Sequence, residues 1–172
     1  MIDRYEVRKT EMIDLEGVYG LFESSVQYQE KHGYPSWKNY DKNAIIKDIE
    51  NKNQYKVIVG EKTAIVFSVC YLDKVIWRNL EKEDSIYLHR IVVNPEFKGQ
   101  KLFGAILNWA INHCKLKGLK HIRMDTWAVN PTIIEYYKSF GFVFVENYRT
   151  PDTTELPVHN RNLALTLLEY RI

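Results

Sequence analysis

The chain has 172 residues, 45% hydrophobic and 27% charged, a balance that suits one globular domain with a full core and excludes a largely disordered chain. Lys and Arg total 24 against 22 for Asp and Glu, and the net charge of +2 excludes a global polycation built for nucleic acid. The two cysteines, Cys70 and Cys114, lie in apolar segments and read as buried, reduced thiols, and no Cys-x-x-Cys or paired-His spacing points to a metal.

Met1 to Arg8 carries charges where a signal peptide needs an apolar stretch. No apolar run approaches the ~20 residues of a spanning helix, so the expected location is the cytoplasm, with no membrane partner. Tyr5 to Thr10 alternates as an opening strand, and Thr10 is placed to cap a helix beginning at Glu11. In that helix Met12, Leu15, Val18, Tyr19, Phe22 and Val26 step by three and four. Lys31 to Trp37 is a loop broken by Gly33 and Pro35, and Asp41 to Asn51 a second, short helix. Tyr55 to Gly60 and Thr63 to Tyr71 form a hairpin, whose second arm Val75 to Leu80 extends or bulges. Ile86 to Val93 is a strong strand ended by Asn94 and Pro95, and a helix follows from about Gln100 to Lys117, closed by Gly118. His121 to Trp127 is a strand, Asn130 to Phe140 a helix stopped by Gly141, and Phe142 to Tyr148 another strand. A polar loop, Thr150 to Pro157, leads to the last strand, Leu163 to Tyr170, which is placed at a sheet edge where a second copy could pair to make a homodimer. No repeat or linker divides the chain, so residues 1–172 read as one domain with a mixed sheet and helices on both faces.

Chemistry concentrates where the strand ending at Val93 runs through a Gly-containing loop into a helix. The first N–H groups of such a helix lack partners and its dipole is positive outward, which suits a phosphate. Lys98 and Lys101 add two cations there. From Phe97 to Met124 there are six Lys or Arg residues and no acid, which implies a bound anion or a solvated basic face. Neither G-x-x-x-x-G-K-[ST] nor G-x-G-x-x-G occurs, so two common phosphate motifs are excluded.

The run VVNPEFKGQKLFGAIL resembles the acetyl-CoA signature of the GNAT N-acetyltransferases, V-x-P-x-x-[QR]-G-x-G-x-[GA]. Val93, Pro95 and Gly99 match, Lys98 replaces the usual Arg or Gln, Lys101 replaces a Gly, and Phe103 replaces a Gly or Ala. Lys101 can donate its N–H if its φ stays helical, while Phe103 either tilts outward or narrows the pocket. Ile122 to Phe142 is similar to the later family segment N-x-x-A-x-x-[LF]-Y-x-x-x-G-F, matched by Asn130, Tyr137, Gly141 and Phe142.

The resemblance implies an α/β fold of the acyl-CoA N-acyltransferase type, with a six- to seven-stranded mixed sheet and about four helices. It implies acetyl-CoA as co-substrate, no metal, and a primary amine of a small molecule or an amino terminus as acceptor, attacked directly in a ternary complex. The pantetheine arm would pair with Ile91, Val92 and Val93, and the phosphates would rest on Lys98, Gly99, Gln100, Lys101, Leu102 and Phe103. Tyr137 would protonate the leaving thiolate, with Tyr136 pointing elsewhere. Asn130 would bind the cofactor, cap its own helix, or both. His89, expected on the same strand face as Ile91, would relay a proton from the acceptor through water or serve only structure. Glu23, Glu30 and Asp125 are lesser candidates for that base, Asp125 being better placed to hold Arg123 or cap its strand. Tyr34, Trp37 and Trp127, with Tyr28 and Trp77, would wall the acceptor pocket. The competing reading is a non-catalytic CoA-binding sensor, which the changes at Lys101 and Phe103 favour and Tyr137 opposes.

Overall fold

The structure is a computed structural model that describes residues 5–156 and 158–172. Met1 to Arg4, in the charged start, and Pro157, in the polar loop, lie outside the described residues. Seven strands form one sheet: β1 (Tyr5–Lys9), β2 (Gln54–Val59), β3 (Lys62–Cys70), β4 (Ser85–Val93), β5 (His121–Trp127), β6 (Val143–Arg149) and β7 (Ala164–Arg171). Five α-helices accompany them: α1 (Leu15–Lys31), α2 (Lys42–Glu50), α3 (Lys74–Trp77), α4 (Phe103–Lys117) and α5 (Pro131–Lys138). The order across the sheet is β1-β2-β3-β4-β5-β7-β6, antiparallel except at β4–β5, which the α4 crossover joins in parallel.

Helices cover both faces because successive side chains on a strand alternate. On one face Phe67, Ile86, Leu88, Ile122 and Leu168 pack under α4 and against Tyr137 of α5. Ile106 of α4 is fully buried there, which contributes about 1.5–3 kcal/mol. On the other face Val66 and Val92 meet Val18 and Phe22 of α1 and Ile45 and Ile49 of α2. A third cluster, Trp77, Tyr87, Leu165 and Leu167, fills the space beneath α3. No helix among the described residues is long and apolar enough to cross a membrane.

Several boundaries differ from the sequence reading. Thr10 is no cap: its hydroxyl is buried without a partner, and the Asp14 carboxylate instead accepts the Glu11 N–H at 2.8 Å. Val75 to Leu80 does not extend the hairpin, because Asp73 Oδ1 accepts the Ile76 N–H and nucleates α3, after which Arg78 turns with φ +50°. The last strand is not an edge. β7 lies between β5 and β6, so its backbone pairs on both sides and it offers nothing to a second copy.

Candidate active site

β4 carries the feature that opens the site. Its pairing with β3 runs through Ser68↔His89 and then shifts, so that Val66 meets Val92 and one extra residue bulges from β4. Arg90 sits in the bulge at φ +50°, its guanidinium held by Asp48 of α2 at 2.8 Å. Pairing with β5 ends at Leu88↔Met124. Beyond it β4 stays with β3, and β5 stays with β7 as far as Trp127, so the two strands part. A cleft of about 900 Å³ occupies the gap. That is room for a ligand the size of a cofactor arm plus an acceptor.

The bulge also corrects a sequence expectation. Ile86 and Leu88 face α4, Tyr87 faces the opposite cluster, and after the extra residue Ile91 and Val93 face α4 again. His89 therefore lies on the face opposite Ile91, although two residues separate them. The inversion puts Ile91 toward α4 and His89 toward Asp73 and Asp125.

At the loop end, Pro95–Phe97 makes one 3₁₀ turn, and α4 begins at Phe103, three residues later than the sequence suggests. The delay leaves a wide mouth. Among the described residues the N–H groups of Gly99, Lys101, Leu102 and Phe103 have no backbone acceptor, while those of Lys98 and Gln100 are taken by Pro95 and Phe97. Gly99 has φ +80° and Lys101 φ +54°, so Lys101 takes a left-handed conformation and not the helical φ expected of it, and its N–H is without a backbone acceptor all the same. Leu102 and Phe103 are buried, and Phe103 packs at 4.9 Å against Tyr137 and 5.2 Å against Phe140. Phe103 thus turns inward and not outward, and it lines the cleft. The Lys98 ammonium rests over the Tyr28 ring of α1, 2.9 Å from its centroid, and this burial lowers its pKa.

Tyr137 is 8% exposed and lines the cleft. Burial first, then Tyr136 and Asp125 nearby, push its pKa well above that of a free phenol, so it keeps its proton. Tyr136 does not point elsewhere. It lines the same cleft with its hydroxyl beside the Phe103 N–H, and a Tyr at a position of Leu or Phe in the family pattern was the available signal. Asn130 caps α5, its Oδ1 accepting the Ile133 N–H at 3.2 Å.

The other end of the cleft gathers residues distant in sequence. His89 Nε2 is 3.3 Å from Asp73 Oδ2, and Nδ1 is 3.9 Å from Asp125 Oδ1. Burial alone would lower the His89 pKa, but Asp73, the Cys70 thiol on the same face of β3, and Asp125 raise it well above its ordinary value. Asp125 is raised, by burial first and by Asp73, with His89 opposing. Asp125 does not hold Arg123, whose guanidinium is bound by Glu169 at 2.7 and 2.9 Å. Asp73 escaped the sequence reading because it lies between Tyr71 and Val75, where the pattern gives no element and no motif. Tyr34 and Trp37 meet Trp127 at 6.4 and 6.2 Å, so these three form the expected aromatic wall. Trp77 is not part of it: the ring is fully buried, 4.3 Å beneath Arg123. Glu23 and Glu30 are exposed outside the cleft, Glu30 facing Lys38 at 3.7 Å.

Residues 20–142 match the profile of the family described as "Acetyltransferase (GNAT) family". The chain is 28% identical over 140 residues, 77% of its length and 78% of the relative's, to "Uncharacterized N-acetyltransferase YesJ" of Bacillus subtilis. A GNAT-family acetyltransferase structure from Listeria monocytogenes superposes with a TM-score of 0.78 at 19% identity, over 98% of this chain and 95% of that one. The ribosomal-protein-S18-alanine N-acetyltransferase from Escherichia coli does so at 0.67 and 17%, over 98% and 94%. With the parted central strands, the amide-lined mouth before α4 and a family match covering most of the sequence, the chain belongs to the GNAT family of N-acetyltransferases.

Proposed function

We propose that residues 1–172 act as one catalytic domain in the cytoplasm, moving an acetyl group from acetyl-CoA to a primary amine of a small molecule or an amino terminus by direct attack in a ternary complex. The observation that carries this reading is the parting of β4 from β5 beside the N–H groups of Gly99, Lys101 and Leu102, which find no backbone acceptor among the described residues. Both features fit acetyl-CoA. The amides of Gly99, Lys101, Leu102 and Phe103 would hold its diphosphate, and the β5-side main chain of Ile91, Val92 and Val93 would hold its arm as an added strand. When bound, acetyl-CoA supplies an activated thioester. Tyr137 donates the proton that the departing thiolate needs, and His89 passes the acceptor's proton to water. Tyr34, Trp37 and Trp127 orient the acceptor. A buried, protonated tyrosine facing the cleft supports catalysis over a non-catalytic CoA sensor.

Lys98→Glu is expected to raise the Kd of acetyl-CoA several-fold, because a carboxylate then stands beside the amides that receive phosphate. Calorimetry giving an unchanged Kd would remove the loop from cofactor binding.

His89 must be neutral to accept a proton, so kcat/KM is expected to rise with pH through its pKa, with a midpoint above 6.5. The groups facing the ring are Asp73, Asp125 and Cys70. Asp73→Asn removes one charge that favours the imidazolium and should move the midpoint down. A midpoint unmoved by that substitution would take His89 out of the relay. The same pairing stabilises the fold fully below the unfolded histidine pKa and is lost as pH rises through the raised folded value.

A further inference from the structure

Charge is divided along the cleft. Lys98 and Lys101 stand at the loop end, whereas Asp41, Asp48, Asp73 and Asp125 line the cleft with Arg90 and His89 as the other basic groups among the described residues. Two of these acids are occupied: Asp48 holds Arg90 at 2.8 Å, and Asp41 caps α2 by accepting the Ala44 N–H. What remains is Asp73, His89 and Asp125, which bring one donor atom each within 4.8 Å of one another. With both carboxylates ionised, the group holds a net charge of −1 while the imidazole carries both protons and −2 once it is the neutral base of the relay. That charge is incompletely satisfied. Asp73 Oδ2 is buried and accepts no hydrogen bond among the described residues, since the His89 N–H is near it but misaligned. The three side chains are 12–24% exposed to the cleft, where their net negative charge attracts a cation. The attacking amine cannot be that cation, because nitrogen attacks a carbonyl only after it has lost its proton. The adjoining faces of Tyr34, Trp37 and Trp127 favour a cation as well. A metal ion is the competing occupant of the same three donor atoms, and zinc binding is therefore one outcome of the test.

We infer that Asp73, Asp125 and the aromatic wall seat a second, charged nitrogen of the acceptor, so that the preferred acceptors are short linear diamines of which one nitrogen reacts while the other stays protonated. This rests on the acetyl-transfer reading of the same cleft and names its substrate class.

The test measures kcat/KM with acetyl-CoA, and binding without it by calorimetry or tryptophan quenching, for a four-carbon α,ω-diamine against n-butylamine. Both amines are cations near neutral pH and can enter the seat, but only the diamine then presents a second nitrogen to the thioester. Its kcat/KM is expected to be at least about tenfold higher, with the preference shrinking as salt rises. Asp73→Asn keeps an oxygen to cap α3, so it should fold, which its Tm would verify, and should weaken binding of both amines and bring the diamine down to the kcat/KM of n-butylamine. Asp73→Glu should restore part of the preference. Equal kcat/KM for the two amines would overturn the inference, as would a preference that survives Asp73→Asn. Zinc binding that depends on His89 and excludes the diamine would also overturn it, in favour of a metal site. Salt-sensitive binding of both amines that Asp73→Asn abolishes, with no acetyl transfer to any amine, would sink the transfer reading and leave the cation seat standing. Transfer to both amines with equal kcat/KM, unaffected by Asp73→Asn, would do the reverse.

Discussion

Tyr137→Phe is expected to lower kcat by about 10²-fold while changing KM little, the loss typical of removing a positioned proton donor. Thiolate is a poor leaving group when it departs into a pocket that offers it no proton. Tyr137 sits on α5 with its ring locked against Phe103 and Phe142, and burial keeps the phenol protonated across the working pH range. Phenylalanine preserves that packing, so a fall in kcat reports the hydroxyl and not a collapsed site. Tyr136→Phe makes the comparison. Its hydroxyl stands beside the Phe103 N–H at the mouth of α4, so that substitution should act on acetyl-CoA affinity and leave kcat nearly intact. Steady-state kinetics on both variants decide it: equal turnover in Tyr137→Phe and the parent removes Tyr137 from the mechanism.

Glu169→Ala is expected to cost about 3–5 kcal/mol of stability, lowering Tm by roughly 10 °C. Arg123 is 2% exposed, stacked 4.3 Å over Trp77, with Glu169 as its counter-charge. Without that carboxylate the guanidinium keeps only the Leu80 carbonyl and the Tyr87 hydroxyl, which leaves a buried charge uncompensated. Burial tends to raise the Glu169 pKa, but Arg123 and Arg171 outweigh it and the net shift is downward. A group with a depressed folded pKa stabilises above its unfolded value, and that contribution is lost as pH falls through the folded one. Acid should therefore destabilise the parent more steeply than the variant. Denaturant unfolding of both proteins at neutral and acid pH measures this. A loss under about 1 kcal/mol would mean that Arg123 finds other partners or water.

The parts of the fold that were legible are those written in local patterns. β5 spans His121 to Trp127 as its alternation suggests, α5 starts at Pro131 behind the Asn130 cap, and α4 ends at Gly118 in the left-handed conformation. The amide mouth was also legible, since a strand stop, a Gly loop and a following helix are neighbours in the chain. Two of the errors share a cause. Arg90 and Lys101 both take positive φ without being glycine, which no local rule favours, and Asp48 of a distant helix holds the Arg90 guanidinium. The extra residue at Arg90 then flips the side-chain alternation that the sequence reading carried unbroken from His89 to Ile91.

Local periodicity, Gly and Pro punctuation and two short signatures were sufficient, by themselves, to give the order of the strands and of the long helices, though not α3, and the family. Tertiary structure alone decided which side chains meet across the cleft. Asp73 follows β3, His89 precedes a bulge in β4 and Asp125 lies on β5, and only the register of three strands brings their donor atoms within 4.8 Å. It also decided that β7 is interior and that Arg123 answers to Glu169. The physical reason is range: helix and turn preferences act within a few residues, whereas strand pairing and charge pairing are set by free energies of burial that exist only once distant segments have met.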